Sequence, residues 1–209
     1  MYKMNLDSAI LHLNNDKSLR KIISTVKLEP ITSSGNVYLE LLESIVSQQL
    51  SVKAASTIFQ RFCALFPDGY PSPELLIRME PESLRSAGLS IQKAAYLKHV
   101  AAFGVENNLE HYPWDNLTDT EIISMLTKIK GVGQWTVEMT LIFTLGRPDI
   151  FPVDDLGIQQ AMVRLFALPE SGKPLRQRMT ELAEPWRPFR SVASRLLWRW
   201  KDIAKTQPV

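Results

Sequence analysis

Two glycines one residue apart, Gly131 and Gly133, interrupt a stretch that is helical in pattern on both sides. The upstream amphipathic run ends at Ile129 and a new one starts at Gln134, so the sequence predicts a helix, a tight hairpin and a helix. Glycines at these positions can take positive φ and leave backbone N–H groups uncovered, where the positive end of the next helix adds to their pull on an anion. Such a hairpin grips a phosphate without reading a base; a plain turn between core helices uses the same residues. Further along, two adjacent carboxylates, Asp154 and Asp155, stand ahead of another helical pattern. Asp154 is placed to be the N-cap and Asp155 to lie in the first turn, where the helix dipole favours negative charge. An acid held there can steady a developing positive charge or orient a water. The plainer alternative is that both aspartates merely cap the helix.

Composition narrows what these residues could belong to. A chain of 209 residues, 45% hydrophobic and 22% charged, can bury a full core as one domain or as two small lobes. Its single cysteine, Cys63, excludes an internal disulfide and any four-thiolate zinc or iron–sulfur site. His12, His99 and His111 include no i, i+4 pair, so a metalloenzyme has no ligand set. Apolar runs are broken by charge well short of a membrane span, and the N-terminus lacks the apolar core of a signal peptide, so an intracellular protein without a membrane partner is expected. The formal net charge is only +2, but residues 156–209 hold ten Lys/Arg against four Asp/Glu. A phosphate-facing surface and an ordinary solvated basic face both account for that excess.

The elements that must position the hairpin and the acids read as helix after helix. Leu6–Leu13 is amphipathic, Asp16 or Ser18 caps a short helix through Ile23, and Pro30–Gly35 is a loop. Apolar residues at 38, 41, 42, 45, 46 and 50 follow the 3.6-residue period and define a helix ending near Gln49. Ser51 caps the next helix, to Leu65; Pro73 and Pro81 open two short ones, the second stopped by Gly88; and a long one covers Ile91–Glu106. Thr118 and Glu121 form a capping box ahead of the hairpin's first helix. After a break at Gly146–Pro148, helices are expected from Asp154 to Phe166, from Lys173 to Ala183 and from Pro188 to about Ala204. No alternating strand pattern emerges, so the fold class is all-α.

Five segments in this order resemble one family: Ser47-Gln-Gln-Leu-Ser, Leu84-Arg-Ser-Ala-Gly-Leu, Ile129-Lys-Gly-Val-Gly-Gln-Trp-Thr, Val153-Asp-Asp, and Trp186-Arg-Pro-Phe-Arg-Ser with Trp198 after it. The chain is similar to the helix-hairpin-helix base-excision DNA glycosylases, in particular to their alkylbase, 3-methyladenine-type branch. The resemblance implies two helical lobes with an active-site cleft between them and no iron–sulfur cluster: residues 37–147 as a central lobe carrying the helix-hairpin-helix at about 119–145, and residues 1–36 plus 148–209 as the second. It implies Asp155 as the essential carboxylate, Trp135 and Trp198 as walls of a base pocket, and Gln49 or its apolar neighbour Leu50 as the wedge that fills the gap left by a flipped base. Backbone amides of Gly131, Gly133 and Gln134, with Lys130, would meet a phosphate, and Lys128 and Arg190 are further candidates. Main-chain carbonyls of Thr127, Ile129 and Val132 stand where such hairpins hold a monovalent cation, Na⁺ or K⁺; no other cofactor is implied. Relatives that form a Schiff base and nick the strand place a lysine where this chain has Trp135, so water is the implied nucleophile.

Two departures bear on substrate range. Met139 replaces a pocket tyrosine, and Glu138 beside it faces either the pocket or solvent. The expected partner is double-stranded DNA with alkylated bases, bound by a monomer. A glycosylase for deaminated bases stays open within the enzyme class. A non-enzymatic hairpin module that recognises damaged or branched DNA by its backbone is the alternative outside it.

Overall fold

The computed structural model of the chain describes residues 5–32 and 35–206; Ser33 and Ser34 of the expected Pro30–Gly35 loop lie outside the described residues. Among the described residues the secondary structure is helical throughout, as an all-α reading requires. In chain order the α-helices are α1 (Leu6–Leu13), α2 (Lys17–Ile23), α3 (Val37–Ser47), α4 (Val52–Cys63), α5 (Pro73–Arg78) and α6 (Pro81–Ser86). They continue as α7 (Ile91–Asn107), α8 (Asp119–Leu126), α9 (Gln134–Met139), α10 (Leu156–Phe166), α11 (Gly172–Ala183) and α12 (Arg190–Thr206). A π-helical turn, Thr140–Thr144, follows α9 directly.

Backbone contacts divide the chain into two compact units, one of Ser34–Thr140 and one of Met1–Ser33 with Leu141–Val209. The continuous unit, α3 to α9, is built around α3 and α7. On α3 the residues Tyr38, Leu41, Leu42, Ile45 and Val46 are fully buried, the inward stripe its periodicity predicts. Leu50, the last member of that pattern, lies beyond the helix end and is 39% exposed. On α7, Leu97, Val100 and Ala101 are buried, and Gly104 lets the Tyr38 ring approach: an added Cβ would sit 3.2 Å from it. Tyr38 carries its hydroxyl into this core and donates it to the Pro71 carbonyl at 2.7 Å, so the buried polar group is satisfied.

The other unit joins the two ends of the chain. Leu13, Leu19 and Ile22 from α1 and α2 pack with Ile158 and Met162 of α10, Met179 of α11, Trp186, and Leu196 and Leu197 of α12. Asp16 ties the segments together: its Oδ1 caps α2 by accepting the Ser18 and Leu19 N–H groups, and its Oδ2 accepts Trp186 Nε1–H at 3.1 Å. That settles Asp16 over Ser18 as the cap.

Two helix starts differ from expectation by two residues, and α11 begins one residue early, at Gly172 rather than Lys173. Pro188 does not open α12; the Phe189 N–H closes a turn onto Trp186 O, and the helix begins at Arg190. That arginine is anchored there by Asp149, which takes its Nε–H at 2.7 Å and lies outside the helix. The α10 helix begins at Leu156, as described below, rather than at Asp154.

Candidate active site

The hairpin lies in the continuous unit. Its first helix, α8, opens with the predicted capping box, Thr118 and Glu121 each bonding the other's backbone N–H. The turn that follows is closed by Ile129 N–H to Leu126 O at 3.1 Å and Val132 N–H to Ile129 O at 3.0 Å. Gly131 has φ +100°, and a Cβ there would stand 2.4 Å from Cγ of Tyr96 on α7. Chirality and space therefore both require glycine at 131. Gly133 differs from the expectation: its φ is −92°, a value any residue adopts, and it is the N-cap of α9 without a side-chain cap bond. Nothing lies within 4 Å of where its Cβ would be. What glycine supplies at 133 is bare backbone at the positive end of a helix, the arrangement that suits an anion.

The side chains around the turn divide between inside and outside. Lys128 and Lys130 are exposed, whereas Ile129 and Val132 are buried and pin the turn to the unit. Gln134 Nε2 donates to Glu138 Oε1 at 2.9 Å. Glu138 itself is only 6% exposed, so it does not face solvent as one of the sequence alternatives had it. The Ile129 carbonyl already accepts one N–H and keeps a second lone pair. No group of three or more His, Cys, Asp or Glu side chains suited to a metal occurs among the described residues.

The expected wedge and one expected pocket wall come together. After α3 ends at Ser47, Gln49 takes a left-handed conformation, φ +59°, before Ser51 caps α4 by accepting the Ala54 N–H. A pocket of about 340 Å³ opens beside this bend, lined by Ser44, Ser47, Gln48, Gln49 and Trp135. Trp135 is 45% exposed, far more than a core indole. Met139, one turn further along α9, is half-buried and does not line that pocket.

Asp155 and Trp198 meet in the other unit. Asp155, not Asp154, is the N-cap of α10: its Oδ1 accepts the Ile158 N–H at 2.8 Å and the Trp198 Nε1–H at 2.7 Å. Asp154 instead points outward and pairs with Arg176. The phase of α10 explains the exchange: Gly157, Ile158, Ala161 and Met162 must face the core, which leaves Leu156 exposed as the first residue and the residue before it as the cap. Trp198 stacks on Phe143, with ring centroids 5.9 Å apart.

Three neighbours of this pair escaped the sequence reading. A Cβ on Gly157 would lie 3.0 Å from Asp155 Oδ1, 3.0 Å from Trp198 Cδ1 and 3.1 Å from Lys201 Nζ, so the glycine makes room for an acid, an indole and an ammonium at one point. Lys201 follows Trp198 by three residues on α12 and so shares its face, a signal the sequence did carry. Phe143 lies in the π-helical turn, which no periodicity announced. Arg190, a phosphate candidate on sequence, is 12% exposed with its guanidinium on Asp149, so it is not available for that role.

Uncovered amides at a helix mouth and an acid held by an indole N–H serve different chemistries, and one class of protein has use for both: those that hold DNA by a glycine hairpin and act on a base taken out of the stack. The chain belongs to that class. Residues 42–188, well over half its length, match the HhH-GPD superfamily of base excision DNA repair proteins, and the chain is a member of that family. It is 35% identical to DNA-3-methyladenine glycosylase 1 of Schizosaccharomyces pombe over 98% of this chain and 92% of that protein. The solved structure of S. pombe Mag1 in complex with abasic DNA superposes with a TM-score of 0.80 at 33% identity, covering 95% of this chain and 97% of that one. A DNA-3-methyladenine glycosidase from Bacillus halodurans does so with a TM-score of 0.83 at 32% identity, covering 97% and 92%.

Proposed function

We propose that the protein is a monofunctional DNA glycosylase that excises alkylated purines of the 3-methyladenine and 7-methylguanine type from double-stranded DNA, leaving an abasic site for base excision repair. The observation that carries the reading is Asp155, a partly exposed carboxylate whose Oδ1 is fixed by Ile158 N–H and Trp198 Nε1–H. Breaking an N-glycosidic bond builds positive charge on the sugar, and a carboxylate oriented in advance stabilises that charge and positions the attacking water. An alkylated purine is already cationic and leaves without a dedicated general acid. The half-exposed face of Trp135 suits such a base, since an indole attracts a cation with about 0.5 to 2 kcal/mol. Trp135 also offers no amine, so water rather than a Schiff base takes the sugar.

In this reading Gln49, with Leu50 next to it, fills the stack behind the extruded nucleotide, and the amides from Gly131 to Gln134 with Lys130 hold a phosphate. The carbonyls of Thr127, Ile129 and Val132 hold a Na⁺ or K⁺ ion that strengthens the local positive potential. The protein acts inside the cell as a monomer; no helix among the described residues is long and apolar enough to cross a membrane.

The test is chromatography of bases released from methylated duplex. Wild type is expected to free 3-methyladenine and 7-methylguanine while leaving the strand intact. Asp155→Asn, which keeps the cap geometry and loses only the charge, is expected to reduce release by at least about 100-fold, the order of effect seen for lost electrostatic stabilisers, with DNA binding retained. A wild-type protein that binds this DNA and releases nothing returns the chain to a backbone-binding hairpin module.

A further inference from the structure

The bend that carries Gln49 is strained, and something must hold it. A non-glycine residue at φ +59° sits in a sparsely populated region, a conformation that persists only where the surroundings over-determine it. The bend also follows the C-terminal end of α3, where carbonyls have no partner within the helix. Lys93, in the first turn of α7, answers both needs. Its Nζ donates to Val46 O at 2.7 Å and to Gln48 O at 2.8 Å, one carbonyl inside the last turn of α3 and one adjoining Gln49. The side chain of Gln48 in turn donates from Nε2 to the Gly131 carbonyl at 3.3 Å. Two hydrogen bonds thus run from Lys93 through the Gln48 backbone and side chain to the hairpin, and a third ties Lys93 to the end of α3. A second contact from α7 closes the circuit, since Tyr96 packs so tightly on Gly131 that no Cβ fits between them.

We infer that Lys93 is a positioning residue for base extrusion: it holds the Ser47–Ser51 bend in its left-handed shape and couples Gln49 to the phosphate-gripping hairpin at Gly131. The inference rests on the reading of Gln49 as the wedge. A lysine at this place supplies more than a solvated charge. Burial lowers its pKa below the usual lysine value, so the ammonium has given up part of its water for the two carbonyls. Methionine at 93 would fill the same space and leave both carbonyls without a donor.

A double-mutant cycle on the full chain tests this, read as the preference for duplex containing a tetrahydrofuran abasic-site analogue over undamaged duplex. Gln49→Ala is expected to lower that preference about tenfold, and Lys93→Met to lower it similarly while binding to undamaged duplex stays within about twofold. The double variant is expected to be no worse than either single one, because a wedge that is not held in place has nothing left to lose. Gln48→Ala, which cuts the link to Gly131 and leaves Lys93 in place, is expected to show the same lack of additivity with Gln49→Ala, and it carries the test alone if Lys93→Met does not fold. Losses that multiply, or an equal loss on both duplexes, overturn the inference. The readout needs no base release, so a protein without glycosylase activity could still pass it, and the two readings fail separately.

Discussion

At the scale of single residues, the carboxylate on which the proposed chemistry rests was legible as a type and a place but not as a geometry. Two adjacent aspartates ahead of a helix announce a cap, and the local pattern pointed to Asp154; the inward phase of α10, fixed by residues downstream, selected Asp155. That Asp155 both caps the helix and accepts the Trp198 indole N–H is a tertiary fact, carried by a residue 43 positions away. Gly157 offers a way to disturb this pair without touching its charge. Alanine there would gain about 1 kcal/mol of helix propensity, yet its Cβ would stand 3.0 Å from both Asp155 Oδ1 and Trp198 Cδ1, tighter than ordinary contact. The crowding decides the sign for activity, because the neighbours that must give way are the acid and its indole. Gly157→Ala is expected to lower single-turnover base release by tenfold or more and to leave Tm within a few degrees of wild type. Wild-type turnover in that variant would mean that the orientation of Asp155 is not critical.

At the scale of elements, most helix starts were legible because a cap is a local device: Asn36, Ser51 and the Thr118–Glu121 box each bond N–H groups within three residues of themselves. The start of α12 was not, since Asp149, outside the helix, anchors its first residue, and no periodicity marks the π-helical turn. The hairpin shows both situations within three residues. The motif located its glycines correctly but gave them one shared reason, and the backbone gives them two. Gly131 is needed for shape; Gly133 is not, and in the proposed reading it leaves its amide open to a phosphate. Gly131→Ala would combine a left-handed backbone penalty of about 1–2 kcal/mol with overpacking of about 1–3 kcal/mol against Tyr96. A loss of about 2–5 kcal/mol in denaturant unfolding is therefore expected. Gly133→Ala meets neither obstacle and is expected to unfold within about 1 kcal/mol of wild type, while binding duplex several-fold more weakly because the methyl takes open space beside its own amide that a phosphate would use. Equal stability losses in the two variants would refute the division of labour.

At the scale of the whole molecule, charge was the least legible property. The sequence places a surplus of six positive charges in residues 156–209, but folding brings acids from just upstream to meet them. Asp149 takes both Arg187 and Arg190, and Asp154 takes Arg176. Arg195 donates to the Glu29 carbonyl, and Arg164 lies 4.8 Å from the centre of the Trp200 ring. A window count cannot see the pairings with acids, since Asp149 and Asp154 fall outside the window, and it cannot weigh the Glu29 carbonyl or the Trp200 ring, which carry no charge. Surface pairs such as Arg176–Asp154 are worth little and can be exchanged for a phosphate, but Arg190, 12% exposed, cannot turn outward without giving up its bonds to both carboxylate oxygens and the carbonyl of Asp149. If the grip on DNA comes chiefly from neutral backbone amides at the hairpin, helped by a few lysines such as Lys128 and Lys130, binding releases few counterions. Each phosphate neutralised by a cation contributes about −0.9 to the slope of log K against log salt, so six free cations would give about −5. A slope no steeper than about −3 is expected for undamaged duplex, measured by fluorescence anisotropy from low to moderate salt. A slope of −5 or steeper would show that the basic segment faces DNA after all and that the ion pairs described here open on binding.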